Sequence, residues 1–240
     1  MEEPIKYFHS SRGFDRGDIK SWAIGEKYVA IMNKTGNIGV CSTLGTKMND
    51  SIILQGEADP DDPVHRIILN AYYNSIYNYE RNYKDIRDIF DSIDFSKYSK
   101  IVMIGYFESL YDKFQNKGIA LEVFDIHKES HILSDISGLE TSLSDAEAVI
   151  LSGTTIFNNT FNKITGLSPG DIHTFLLGPS NILSEEMFGY PGIKVVFGSV
   201  FNPGDSRVLD CIAGGSGTRG FLPYLQKVYI VKNDFRDELR

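Results

Sequence analysis

The sequence predicts an α/β protein: a small α+β segment followed by a larger segment built on a mainly parallel sheet. Three observations carry that expectation. From Lys100 onward, short apolar runs alternate with helical or loop stretches, as in a sheet whose strands are joined by crossover helices. Several of those runs end in small, hydroxyl-bearing or acidic residues, the chemistry found where parallel strands meet a ligand. Before Lys100 the pattern is a hairpin followed by an amphipathic helix. The boundary falls near Ser96, giving units 1–96 and 97–240.

In the first unit, residues 27–32 and 37–42 are strand-like and rich in Val, Ile and Tyr. Asn33-Lys34-Thr35-Gly36 joins them with the residues that tight turns favour. Residues 45–62 are polar and loop-like. Asp62 is then a good N-cap and Pro63 a good first helical residue, so a helix starts there. Its apolar face carries Val64, Ile67, Ile68, Ala71 and Ile76, while Asn70, Asn74 and Asn78 recur every four residues on another. Asparagine is a mediocre helix former, so this row either faces solvent or, at Asn70, looks into a cleft between the units. Residues 83–98, with Ile86, Ile89, Phe90 and Ile93 at helical spacing, read as a second helix and linker.

In the second unit the apolar runs are 101–104, 120–124, 148–151, 174–177, 194–197 and 228–231. Gly105-Tyr106-Phe107 follows the first, Asp125 the second, Gly153-Thr154-Thr155 the third and Gly178-Pro179-Ser180 the fourth. Four consecutive strands ending this way predict a shared rim. The stretch after the third is the richest. Gly153 lets backbone approach closely, while Thr154, Thr155, Asn158 and Thr160 donate and accept hydrogen bonds without charge, which suits recognition; the same residues also suit helix capping. Asp125 stands where an acidic residue holds ribose hydroxyls in dinucleotide sites, or caps the next element.

At 240 residues and 42% hydrophobic, the chain can bury a proper core. A formal charge of −8 with no Lys/Arg cluster argues against nucleic-acid binding. Cys41 and Cys211 lie far apart in apolar settings, as reduced residues of a cytoplasmic protein do. No apolar run approaches the roughly 20 residues of a membrane span, and Met1-Glu2-Glu3-Pro4 lacks a signal-peptide pattern. A homodimer is expected only because it is the commonest assembly.

Gly215-Ser216-Gly217-Thr218-Arg219-Gly220 matches a dinucleotide fingerprint by letter. Its context does not: residues 208–213 look helical rather than strand-like, and Pro223 spoils a following helix. Arg219 is the charged group that this loop offers an anion. The chain holds no Walker lysine loop, no Ser-x-x-Lys and no nucleophile elbow, so no nucleophile is named. His127 and His131 are spaced by four. On a helix they share one face, where Asp125 or Asp135 would complete a ligand set for a divalent transition metal; the alternative is a pair of surface histidines.

The runs Ile101-Val102-Met103-Ile104-Gly105-Tyr106-Phe107, Leu151-Ser152-Gly153-Thr154-Thr155 with Asn158 and Thr160, and Leu177-Gly178-Pro179-Ser180 resemble the motifs of the heavy-metal chelatase family. The resemblance is dense from Lys100 to Gly215 and loose before Val64. It implies an enolase N-terminal-like domain ahead of a Rossmann-like domain, with Asn70-Ala71 resembling a motif of the first. It also implies a ligand site between the two, with a role in chelating a metal or handling an anionic metal-binding molecule. Onto this chain it carries Gly105, Thr154, Thr155, Asn158, Gly178, Pro179 and Ser180. None is His, Cys, Asp or Glu, so such a rim grips a small organic or phosphorylated ligand that itself holds the metal. The alternative is a Rossmann-type module for a nucleotide or small anionic metabolite, without metal chemistry.

Overall fold

A computed structural model describes residues 1–49, 57–83, 86–128, 130–168 and 170–240. Helix α1 (Pro4–Arg12) opens the chain and ends at Gly13, whose φ of +71° turns the backbone away. Strands β1 (Ile19–Ile24), β2 (Tyr28–Asn33) and β3 (Ile38–Ser42) form an antiparallel sheet in that order. The β2–β3 hairpin pairs Tyr28 with Ser42 and Met32 with Ile38. Asn33 organises its turn, its Oδ1 accepting from the amides of Thr35 and Asn37 and from the Thr35 hydroxyl.

Helix α2 (Pro63–Tyr77) starts as its sequence dictates, with Asp62 Oδ1 accepting from the amides of Val64 and His65, each at 2.9 Å. It is not a surface helix, for residues 66 through 75 are all buried. One side lies on the small sheet so closely that a Cβ at Gly39 would sit 2.0 Å from the Ala71 carbonyl. The other side joins an apolar cluster reaching Val102, Val149 and Val196 of the large sheet. The solvent reading of the asparagine row is therefore corrected: Asn70, Asn74 and Asn78 are each no more than 1% exposed. Asn74 donates to Val40 O at 2.9 Å within the first part of the chain, and the row also stitches that part to the second, Asn74 donating to Pro179 O at 3.4 Å and Asn78 to Asn181 O and Ser199 O. Buried backbone carbonyls at this junction need donors, which leucine would not supply.

The loop expected over 45–62 is irregular in its described parts; residues 50–56 lie outside the described residues. The helix expected over 83–98 is not one element. Residues 84 and 85 lie outside the described residues, and beyond them stand only a four-residue helix, α3 (Ile89–Ser92), and a 3-10 turn, Phe95–Lys97. Asp88 and Asp94 break the periodic pattern by capping each piece with their carboxylates.

The large sheet contains β4 (Ile101–Ile104), β5 (Glu122–Phe124), β6 (Ala148–Ser152), β7 (His173–Leu177), β8 (Ile193–Phe201) and β9 (Leu225–Val231). Their order is β5-β4-β6-β7-β8-β9, parallel through β8, with β9 antiparallel at the edge. Strand β8 runs past its expected end because Ser199, Val200 and Phe201 pair with Lys227, Gln226 and Leu225. The connections carry α4 (Glu108–Asn116), α5 (Leu139–Ser144), α6 (Thr154–Phe157), α7 (Phe161–Leu167), α8 (Arg207–Ala213) and α9 (Thr218–Phe221). Phe95, Phe114, Phe175 and Phe235 cover one face of the sheet, while α1, α2 and Phe161 belong to the cluster on the other. From β4 the chain steps outward to β5 and then back across to β6, so the strand order reverses beside β4. In open sheets of this kind, ligands are met at that reversal, beyond the carboxyl ends of the strands.

Candidate functional site

A cleft of about 940 Å³ opens at that place. Its floor is formed by the tips of β4 and β6. Gly105, φ +92°, follows β4 and lies so near Ser152 that a Cβ there would stand 2.6 Å from the Ser152 Cβ. The Ser152 hydroxyl is 2.9 Å from that of Thr154, which caps nothing and faces the cleft wall with Thr155. Thr155 is buried and donates to the Ser152 carbonyl at 2.7 Å. The chain turns at Asn159, φ +63°, a conformation asparagine tolerates. Asn158 and Thr160 line the cleft on either side of it, with Asn158 Oδ1 accepting from the Thr160 amide and hydroxyl.

The structure thus brings Gly105, Tyr106, Asp125, Thr154, Thr155, Asn158, Thr160, Gly178 and Pro179 to one cleft. Gly178, at φ +123°, puts the backbone after β7 beside Phe107. Three expected residues stand behind the wall instead. A Cβ at Gly153 would meet Asn181 Oδ1 at 2.4 Å. Ser180 is 2% exposed and its Oγ accepts from the Ser42 amide at 3.0 Å. Asn70 donates to the Ser180 carbonyl at 2.9 Å, so these residues fix the loop after β7.

Asp125 is committed to backbone. One oxygen accepts from the Tyr106 amide and the other from the His127 amide, both at 2.8 Å, which locks the tip of β5 to that of β4. His127 lines the cleft and His131 does not. Among the described residues no helical face pairs them, since 126–127 form a bend and 131–132 a turn. Asp125 spends its carboxylate on that bend, so the chain leaves β5 without starting a helix. Among the described residues, no group of three or more His, Cys, Asp or Glu is arranged to hold a metal ion.

Arg219 apart, the positive charge of the site is not legible in the sequence. Arg87, Lys113, Lys128, Lys163, Arg219 and Lys227 line the cleft, against Asp88, Glu108 and Asp125 among the described residues. These cations lie up to 140 positions apart, so no local cluster announces them; only the topology gathers them. Lys113 and Lys227 both approach Asp88 Oδ2, at 2.5 and 4.0 Å. Burial pushes the Asp88 carboxyl up, but Lys113 and the Asp91 amide outweigh it and hold it below the usual range. Lys128 Nζ donates to the Tyr106 carbonyl at 2.7 Å and lies 5.0 Å from the Tyr106 ring centre. Arg219 from the glycine-rich loop pairs with Glu108 at 3.1 Å across the opening. The first part of the chain adds Tyr28, Ser42 and Leu44. Burial raises the Tyr28 phenol, which stays neutral and hydrogen-bonded to the Thr218 hydroxyl at 2.8 Å.

A mainly parallel six-stranded sheet beside a three-stranded antiparallel one, with a concave cleft at the strand-order reversal, defines a mixed α/β protein. The chain belongs to the DUF364 family, described as "Putative heavy-metal chelation", whose pattern matches residues 88–231. Two solved structures share the fold. A DUF364 protein of unknown function from Desulfitobacterium hafniense DCB-2 superposes with a TM-score of 0.75 at 17% identity, covering 95% of this chain and 98% of its own. Another, from Pyrococcus horikoshii, gives 0.75 at 18% identity, covering 89% and 93%. No curated protein matches the chain. Among the described residues, no helix is long and apolar enough to cross a membrane.

Proposed function

We propose that this protein binds a small organic anion able to hold a heavy-metal ion, with the metal as the ligand's cargo. The observation that carries this reading is the reversal of charge at the cleft. In a chain of formal charge −8, six Lys and Arg side chains line the site against three carboxylates among the described residues. A site lined by excess positive charge concentrates anions and would repel a bare divalent cation. The Thr154 hydroxyl and the Asn158 side-chain N–H then orient the bound anion, the Thr160 hydroxyl holding Asn158 in place through its Oδ1. In this reading residues 1–96 and 97–240 act as two units sharing one ligand, since Tyr28, Ser42 and Leu44 face the strand tips. Unpaired Cys41 and Cys211 support a cytoplasmic setting.

Native mass spectrometry with elemental analysis, on protein purified without chelator or affinity metal, tests the proposal. An organic mass carrying a metal in equal amount is the expected result. A metal retained without any organic mass would overturn it and return attention to His127 and Asp125. A retained nucleotide free of metal would favour a nucleotide-binding module instead.

A further inference from the structure

The mouth of the cleft is apolar as well as cationic. Ile126, Ile136 and Leu222 are 61%, 50% and 46% exposed, and all three line it. They come from separate segments: the bend after β5, the turn before α5 and the link between α9 and β9. Besides these, the large hydrophobic side chains exposed among the described residues are Met1 and Ile86. Three exposed apolar side chains thus line one cleft among charged ones, and exposed apolar surface rimmed by polar groups marks binding sites. Deeper in, Ile104, Leu139 and Ile164 continue the apolar wall. Lys128, beside the Tyr106 ring, lines the same cleft.

We infer that the ligand is an amphiphilic organic anion, with an extended or flat apolar body and an acidic group. This rests on the anion reading above and names the chemical class within it. The apolar body covers Ile126, Ile136 and Leu222, while the acidic group meets the lysines. A fully hydrophilic anion would leave those three side chains in water, and a neutral apolar molecule would leave uncompensated the excess of six Lys and Arg over three carboxylates at the cleft.

Isothermal titration calorimetry of the full chain with three probes tests this: 2-naphthoate, its uncharged isostere 2-naphthamide, and citrate. We expect one 2-naphthoate per chain, bound at least about tenfold more tightly than either of the others. Leu222→Ser and Ile136→Ser should each weaken 2-naphthoate about fivefold. Their thermal midpoints should match that of the parent, since both side chains are half in water. Citrate binding as tightly as 2-naphthoate, or both serine variants binding like the parent, would overturn the amphiphile while leaving the anion reading intact. Amide and carboxylate binding equally would remove the anion reading too, as would binding of no probe at millimolar concentration.

Discussion

Arg66 and Glu3 form a buried bidentate ion pair, Nη1 donating to Oε2 at 2.8 Å and Nη2 to Oε1. The guanidinium does more than neutralise Glu3. Its Nε donates to the Phe157 carbonyl at 2.6 Å and its Nη2 to the Ile156 carbonyl at 2.9 Å, while Nη1 also reaches the Pro60 carbonyl. Arg66 therefore closes the carboxyl end of α6, whose opposite end supplies Thr154 and Thr155 to the cleft. Position along the sequence, Arg66 within α2 and Glu3 immediately before α1, is unrelated to this role in space.

Arg66→Met should cost about 3–5 kcal/mol, because it strands the Glu3 charge and orphans two helix-end carbonyls together. Replacing both partners, Glu3→Leu with Arg66→Met, removes the stranded charge but not the orphaned carbonyls. The double variant should thus recover only part of the loss. Chemical denaturation of the two singles and the double checks this, and full recovery would show that Arg66 serves Glu3 alone.

The asparagine row makes a graded prediction. Asn78 is satisfied on both sides, its Oδ1 accepting from the Leu183 amide at 2.7 Å while its Nδ2 donates to Asn181 O and Ser199 O. Asn70 donates to Ser180 O, and its Oδ1 has no partner among the described residues. Asn78→Ala should therefore cost about 3 kcal/mol and Asn70→Ala about 1 kcal/mol. Equal losses in urea unfolding would contradict the assigned bonds.

These two cases show why the strands of the large sheet were legible and the junction was not. Runs such as Ile101–Ile104 and Ala148–Ser152 are apolar because both faces of the sheet are covered, and that leaves a local mark. Asparagines on a helix leave the same mark whether they face water or buried carbonyls, since the partner lies more than 100 positions away. Helix α1 and strand β1 escaped for a related reason. Only Ile5 and Phe8 of α1, with Pro4, are buried, and in β1 only Ala23 is, so neither shows a clear period. The neutral rim was readable because glycines and hydroxyls sit next to the strands that deliver them. The cations were not, because Lys113, Lys163 and Lys227 converge only through the chain's path across the sheet.

Asp88 predicts a pH dependence with a definite sign. Its Oδ1 caps α3 through the amides of Phe90 and Asp91, and its Oδ2 meets Lys113 at 2.5 Å. Because its folded pKa lies below the ordinary 3.8, the carboxylate contributes stability that is fully present above that value and is lost as the pH falls through the folded one. Asparagine caps a helix as well as aspartate does, so Asp88→Asn removes the charge and keeps the cap. The parent should exceed this variant in stability by about 0.5–1 kcal/mol at pH 7, the gap closing as the pH drops below 4. A gap that stayed constant from pH 7 to pH 3 in denaturant titrations would deny the carboxylate that role.

Gly105 links stability to binding. Its φ of +92° strains any L side chain, and an added Cβ would stand 2.6 Å from the Ser152 Cβ, which is β-strand side chain and not a flexible tip. Gly118 also has a positive φ, +65°, but nothing lies within 4 Å of where its Cβ would be. Gly118→Ala thus measures the backbone strain alone, about 1 kcal/mol, and Gly105→Ala adds a clash that brings the loss to about 2–3 kcal/mol. Relief of the clash must push Ser152 away, and with it Thr154, whose hydroxyl lies 2.9 Å from the Ser152 hydroxyl. Gly105→Ala should therefore weaken binding of 2-naphthoate at temperatures where the variant is still folded, while Gly118→Ala should leave it unchanged. Thermal unfolding and calorimetric titration on the same preparations separate the two effects. Unchanged affinity in folded Gly105→Ala protein would place the bound molecule away from the β4 and β6 tips.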